Sequence, residues 1–304
     1  MVNLECRRGA EIAASNGVLK SNFMLIRLLA IDLDGTLLNS NSEVSPRNRE
    51  ALARASASGV EIAVATGRRM HAARRYVEQI PCPVTLMSSN GAMTTSSTGE
   101  VFYRDFLNRD DALQVLAATR EFRPYAAVLF DIPGRGQIVM QEGALPEGPL
   151  GWYQKASADL LQLEADIEKQ FPTDPIQVLF GGPPALMEQV EPLITASPAA
   201  PAIHLSWTKY LSRNISLIDI MTLGCSKGAA LARWAKHRGY HPGEVMAIGD
   251  NHNDLEMLQF AGYPVVMSNH SAGLPTDGWH TTLSNDEDGV AVAIEVHIFG
   301  EQLS

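Results

Sequence analysis

Arg27-Leu-Leu-Ala-Ile-Asp-Leu-Asp-Gly-Thr36 decides how the rest of this chain is read. Four apolar residues, Leu28 to Ile31, run into two aspartates one residue apart, and a glycine and a threonine follow. A continuous apolar run bounded by turn residues suits a parallel strand covered on both faces. Open parallel sheets bind their ligands at the carboxyl ends of such strands, so Asp32 and Asp34 are expected at a crevice. Taken alone, the stretch from Asp32 to Thr36 reads equally well as an Asp-Gly turn that closes a strand.

Outward from this strand the pattern repeats. Ser45-Pro46 reads as an N-cap followed by proline in the first helical turn, and Ala51, Leu52 and Ala55 form an apolar stripe before Gly59. Residues 60–65 are apolar apart from Glu61 and stop at Thr66-Gly67-Arg68-Arg69. A helix over 70–80 is broken by Pro81 and Pro83, and a third short strand over 84–87 ends in Ser88-Ser89-Asn90-Gly91. This βαβαβ order predicts a parallel sheet with right-handed crossovers. The alternation lapses from residue 92 and resumes at Ser226, with a helix over 227–237, a strand over 245–248, the polar run Gly249-Asp-Asn-His-Asn-Asp254, a short strand over 264–267 and a last helix over 290–298. The interval is rich in Gly and Pro turns. It carries strand-like runs at 136–141, 176–180, 202–207 and 214–220 and helix-like runs at 110–121, 156–170 and 185–193, which predicts an inserted α+β unit. The expected organisation is therefore a Rossmann-like α/β core over 24–91 and 222–304, an insertion over 92–221, and an appendage over 1–23 with Met24 as the natural start.

Composition narrows the function. At 304 residues and 45% hydrophobic content the chain is long enough for two domains with cores. A net charge of -10 argues against a nucleic-acid or anionic-membrane surface, since both need a basic field. Cys6, Cys82 and Cys225 lie far apart in no metal-binding spacing, which fits a reducing cytoplasm better than a disulfide framework. No apolar stretch approaches the roughly 20 residues that span a bilayer, and residues 1–23 lack the apolar core of a signal peptide.

Three strands thus end in polar clusters, Asp32/Asp34, Thr66 and Asp250/Asp254, which a parallel sheet brings to one edge. Lys227 opens a helix, where the dipole disfavours a cation. Clustered carboxylates without histidine or cysteine ligands make a hard oxygen site suited to Mg²⁺. With a lysine and a hydroxyl opposite, such a site would hold a phosphoryl group, and one aspartate could attack it.

Asp32-Leu-Asp-Gly-Thr36, Ala65-Thr-Gly-Arg68, Ser226-Lys-Gly228 and Gly249 to Asp254 resemble the four motifs of the haloacid dehalogenase superfamily of phosphatases. The tail Leu283-Ser-Asn-Asp-Glu-Asp-Gly-Val-Ala291 and the long insertion resemble its Cof-type, type IIB branch with a C2-type cap. The resemblance covers the chain from Met24 onward. It implies that Asp32 attacks phosphorus, and that Asp34 protonates the leaving oxygen and then activates water. It implies Mg²⁺ held by the carboxylates of Asp32 and Asp250 and the Asp34 carbonyl, with Asp254 acting one step removed from the ion. Leu33 and Gly67 through their amides, Thr66, Lys227 and Asn253 would hold phosphate oxygens. The chain departs from the pattern at Met267-Ser-Asn-His270 and at Asp219, where a glutamate is frequent; both bear on substrate fit.

The implied activity is Mg²⁺-dependent hydrolysis of a small phosphorylated metabolite, sugar phosphates first. A phosphosugar mutase using the same phosphoaspartate is the alternative, and a receiver-like phosphoacceptor switch stands behind it. Neither a nucleic-acid nor a membrane partner is expected. The bland readings elsewhere are a solvated basic face for Arg68, Arg69, Arg74 and Arg75, a small buried thiol for Cys225, loop positions for His252, His270 and His280, and cap-core or hairpin roles for Trp207, Tyr210, Arg213 and the Gly134-Arg135-Gly136 turn.

Overall fold

The computed structural model describes residues 26–143, 150–151, 158–169 and 171–302, so the expected appendage over 1–23 lies outside the described residues. Leu28–Ile31 forms β1, buried throughout. Its neighbours are β2 (Glu61–Ala65) and β12 (Val245–Gly249), both parallel to it. The full sheet has eight strands in the order β14-β13-β12-β1-β2-β3-β4-β5, where β3 is Val84–Ser88, β4 Met93–Ser96, β5 Val101–Arg104, β13 Tyr263–Met267 and β14 His280–Thr282.

Alternation along the strands fills two layers. Leu29, Ile31, Ile62, Val64, Met246 and Ile248 point into one cluster, completed by α1 (Pro46–Ala57), α2 (Met70–Val77) and the C-terminal helix Gly289–His297. Leu28, Ala30, Ala63, Ala65, Val245 and Ala247 point into the other, with Leu231 and Trp234 from the helix Lys227–Arg238 and Met257 and Leu258 from the helix Leu255–Phe260. Successive strand residues face opposite sides, so uninterrupted apolar runs are what a sheet covered on both faces requires. The start of α1 follows the expected code: Ser45 accepts the Asn48 N–H (3.1 Å) with Pro46 in the first turn.

The segment between is a second sheet of six strands, ordered β10-β11-β9-β6-β7-β8. Here β6 is Ala126–Leu129, β7 Ile138–Gln141, β8 Leu161–Glu164, β9 Gln177–Gly182, β10 Ile203–Tyr210 and β11 Ile215–Thr222. Two helices, α3 (Arg109–Ala118) and α4 (Pro184–Thr195), cover one face through Val115, Leu116, Met187 and Val190, which share a cluster with Phe180 of β9 and with Phe130, the residue after β6. In chain order the remaining helices are α5 (Lys227–Arg238), α6 (Leu255–Phe260) and α7 (Gly289–His297).

Three features differ from the sequence expectation. The hairpin β4–β5 pairs antiparallel with β3, so the first sheet runs past the boundary expected at residue 91 and the chain leaves it after Arg104. Residues 161–164, expected within a helix over 156–170, form β8 parallel to β7. The alternation Leu-Gln-Leu-Glu suits a strand, and ladder partners on β7 decide in its favour; residues 156, 157 and 170 of that span lie outside the described residues. β6, a four-residue strand directly after a proline-containing turn, is too short to read without its partners β7 and β9. No described helix is long and apolar enough to cross a membrane.

Phe180 is wholly buried between the second sheet and its helices. Phe180→Ala is expected to cost about 3–5 kcal/mol through lost burial and a residual cavity, read as a lower denaturant midpoint at unchanged slope.

Candidate active site

Because β1, β2 and β12 are adjacent and parallel, the residues that follow them emerge together. Asp32 leaves β1 with its N–H bonded to Ile248 O (3.0 Å), and Thr66 leaves β2 with its N–H on Met87 O (2.8 Å). Lys227 comes in from the first turn of α5, whose N-cap Ser226 accepts the Ala229 N–H (3.0 Å). The Lys227 ammonium, 1% exposed, donates to Asp32 Oδ1 (2.6 Å) and Asp254 Oδ1 (2.7 Å). The other oxygen of Asp254, Oδ2, accepts the N–H groups of Asp250 and Asn251, both at 3.0 Å. Asp250 Oδ1 accepts the Thr36 hydroxyl at 2.8 Å. Gly35 has φ +89, and a Cβ there would overlap the Asp250 carboxylate, so the turn after Asp34 has to be glycine.

Burial sets the electrostatics. It pushes Asp32 up to about 7, reinforced by the charges of Asp254 and Asp34 and opposed by Lys227. Asp250 is likewise pushed well above the carboxylate range by burial and by Asp32 and Asp254. Burial alone would lower Lys227, but Asp254 and Asp32 outweigh it and keep the ammonium charged. Asp32, Asp250 and Asp254 each bring an oxygen within 4.8 Å of the others. Ionised together, the three carboxyl groups would outnumber the one buried ammonium, which is why Asp32 and Asp250 hold their protons so tightly; the all-oxygen donor set fits a hard divalent cation that would take the place of those protons.

The second sheet closes over this edge. Asn90 follows β3 in a turn with three consecutive positive φ angles, Ser89 at 50°, Asn90 at 52° and Gly91 at 97°. Such conformations cost on the order of 1–3 kcal/mol per non-glycine residue and persist where the surroundings enforce them. The turn is held by Ser89 N–H to Arg68 O (2.8 Å) and Asn90 N–H to Thr66 O (2.9 Å). A Cβ at Gly91 would collide with the Ser226 carbonyl, so the approach to α5 also requires glycine. Asn90 Oδ1 accepts from Asn253 Nδ2 (3.1 Å), and Asn90 Nδ2 donates to Asp219 Oδ2 (3.0 Å) on β11. The Gln177 amide donates to the other Asp219 oxygen. Burial pushes Asp219 up to about 7, only partly offset by the Asn90 bond, the Lys227 charge and the Gln177 bond. A second tie joins Asn251 to the Lys209 backbone, accepting its N–H and donating to its carbonyl, both at 3.0 Å.

Between the two sheets lies a cleft of about 1090 Å³. Asp32, Asp34, Gly67 and Asn253 line it, while Lys227, Asp250 and Asp254 stand buried behind Asp32. Thr66 is wholly buried, its hydroxyl accepting the Arg68 N–H at 3.1 Å, and the Leu33 side chain is buried as well. Asp34 is gripped by the Arg68 guanidinium through Nε to Oδ2 (2.7 Å) and Nη2 to Oδ1 (2.6 Å). Arg68 therefore belongs to the site and Arg69 is buried, which corrects the solvated-face reading for these two; Arg74 and Arg75 are exposed, as that reading expects, and also line the cleft. Tyr210 and Arg213 line it from the second sheet. Trp207 instead donates to Glu191 (3.3 Å), and Arg135 to Leu161 O (3.1 Å), as cap-core and hairpin roles require. Cys225 is buried, its thiol pushed up to about 12 by burial, and is no nucleophile. Sequence reasoning assigned no role to Thr36, Asn90 or Asn251. The polar run 88–91 after a parallel strand was the available signal for Asn90.

A family model described as haloacid dehalogenase-like hydrolase matches residues 29–294, nearly all of both sheets. The chain belongs to this family. Phosphatase YwpJ of Bacillus subtilis is 29% identical to it over 282 residues, covering 88% of this chain and 98% of its own. The 5-amino-6-(5-phospho-D-ribitylamino)uracil phosphatase YwtE of the same species is 28% identical, covering 91% of this chain and 99% of its own. A solved haloacid dehalogenase-like hydrolase from B. subtilis matches with a TM-score of 0.71 and 27% identity, over 89% of this chain and 99% of that one. This haloacid dehalogenase-like hydrolase is a Cof-type phosphatase, a phosphoric monoester hydrolase of small phosphorylated metabolites.

The raised carboxyl groups give a pH test. Asp32 and Asp219 hold protons more tightly folded than unfolded, so in chelator-treated phosphatase their contribution is complete below about pH 4 and is lost as pH rises through about 7. Asp219→Asn removes one of the raised groups and leaves Asp32 and Asp250 in place. Its melting temperature in EDTA is expected to fall less across that window than that of the wild type, by scanning calorimetry; parallel profiles would refute the assignment.

Proposed function

We propose that this phosphatase hydrolyses a sugar phosphate or a metabolite of similar size, with Mg²⁺, through a phosphoaspartate on Asp32. The observation that carries the reading is the Lys227 bridge. A wholly buried ammonium is bonded to Asp32 at the floor of a cleft, in a site with more carboxylates than cations. In this reading the six-stranded sheet is a cap, and the core comprises the eight-stranded sheet with its helices. The free thiols of Cys82 and Cys225 agree with a cytoplasmic setting.

Asp32 and Asp250 would hold the ion with their carboxylates and Asp34 with its backbone carbonyl. Both oxygens of Asp254 are already engaged, by Lys227 and by two N–H groups, so Asp254 fixes the lysine and the loop around Asp250. When bound, Mg²⁺ offsets the carboxylate charge and draws charge from the phosphoryl oxygens. The Asp32 oxygen that is not bonded to Lys227 attacks phosphorus in line with the departing ester oxygen. Lys227, the Leu33 and Gly67 N–H groups, the Thr66 hydroxyl and the Asn253 amide hold the equatorial oxygens. Asp34, held at the cleft wall by Arg68 in the free enzyme, exchanges that ion pair for a proton from solvent as substrate enters, and gives the proton to the leaving oxygen. It then takes one from a water that attacks the phosphoaspartate, which frees phosphate and restores the Asp32 carboxylate.

Phosphate release from a panel of sugar, nucleotide and cofactor phosphates, with para-nitrophenyl phosphate as a generic ester, tests this. Release is expected with Mg²⁺, lost in EDTA, undetectable in Asp32→Asn and lowered about 10²–10⁴-fold in Asp34→Asn. Release that survives in Asp32→Asn would overturn the phosphoaspartate, and isomerised product without free phosphate would replace hydrolysis by mutase chemistry.

A further inference from the structure

We propose that the substrate carries a second anionic group, a carboxylate or another phosphate, remote from the phosphoryl group that leaves, and that Arg75 and Arg213 receive it from the two walls of the cleft. This names the substrate class for the phosphatase reading and rests on that reading.

In a chain of net charge -10, five arginines line one cleft: Arg68, Arg69, Arg74 and Arg75 in and just before α2, and Arg213 in the turn between β10 and β11. Away from Asp32 and the buried Asp219, the carboxylates that face them are three among the described residues, Asp34, Glu78 and Asp159. Two of these are spoken for, Asp34 by Arg68 and Glu78 by Arg74 (2.8 Å), and Arg69 bonds Gln137 (3.2 Å). Among the described residues no carboxylate pairs with Arg75 or Arg213.

Tyr76 makes the imbalance local. Arg68 and Arg75 both lie over its ring, at 4.7 and 4.6 Å, and both donate to its hydroxyl. Two like charges are gathered on one phenol, and Asp34 neutralises only the first. Arg213, opposite, rests on the Tyr210 ring (5.9 Å), itself a cleft residue. A guanidinium is a planar fork matched to carboxylate and phosphate, and a cleft with low-dielectric walls strengthens the attraction. The phosphoryl group has other holders in Lys227 and the strand-end amides, so these arginines are left for another part of the substrate. At about 1090 Å³ the cleft has room for one that reaches them.

The test uses matched pairs. Glucitol 6-phosphate and 6-phosphogluconate share a carbon chain and differ by an alcohol or a carboxylate at C1; fructose 6-phosphate and fructose 1,6-bisphosphate differ by the second phosphate. Binding to Asp32→Asn with Mg²⁺ is read by calorimetry, and kcat/KM is read in the wild type. In at least one pair the member with an anionic group at both ends is expected to be favoured about tenfold, the factor one charge-assisted pair supplies. The preference should fall below about threefold in Arg75→Gln and in Arg213→Gln, chiefly through KM, and should shrink with added salt. The ratio within a pair is the readout, so a general loss of activity does not imitate the effect. Equal affinities in both pairs, a preference untouched by both substitutions, or no binding of any of the four while para-nitrophenyl phosphate is hydrolysed would overturn the proposal and leave the phosphatase standing. Arginine-dependent binding without hydrolysis of any ester would do the reverse.

Discussion

A buried ammonium between two buried carboxylates is the constraint on which the rest of the site depends. Lys227 arrives from α5, Asp32 from β1 and Asp254 from the loop after β12, and their bonds of 2.6 and 2.7 Å pin three separate stretches of chain together. Removing one member of such a group leaves a charge buried without compensation, which typically costs about 3–5 kcal/mol. Local energetics oppose Lys227 at a helix start, and its position is therefore set by the carboxylates. Asp254 in turn spends its second oxygen on the N–H groups of Asp250 and Asn251, so the lysine and the loop that carries Asp250 are held by one side chain.

The same loop reaches the second sheet. Asn251 brackets the Lys209 backbone on β10, and Asn253 leads through Asn90 to Asp219 on β11. Strain in the turn at Ser89 and Asn90 is accepted where it lets one amide side chain face both sheets. Asp219 closes the path with two donors and, among the described residues, no cation in direct contact, which is why burial moves its carboxyl so far. Through these ties the cleft has a defined shape even though its walls belong to different sheets.

Much of this was legible in the chain. The apolar runs that become β1, β2, β3 and β12 needed no tertiary information, because a strand covered on both faces is apolar at nearly every position. The polar residues that end them had to share an edge once the strands were parallel. Elements that depend on a neighbour are of another kind. Residues 161–164 alternate too briefly to declare themselves without β7 beside them, and β4 and β5 join the first sheet because β3 offers them an edge. Arg68, Arg69, Arg74 and Arg75 look like an ordinary basic helix face in an acidic protein until the second sheet comes down opposite them.

The sequence by itself determined the class of fold, the residues at the strand ends and, through four motifs in order, the family and its phosphatase chemistry. These depend on local pattern and on the geometry of a parallel sheet, which any such sequence shares. Only the tertiary structure decided that Asn90 and Asp219 meet, that Asn251 grips the backbone of Lys209, and that Arg75 and Arg213 face one cleft. Those contacts join residues far apart in the chain, and which face a residue of the inserted sheet turns to the core depends on how the two sheets dock.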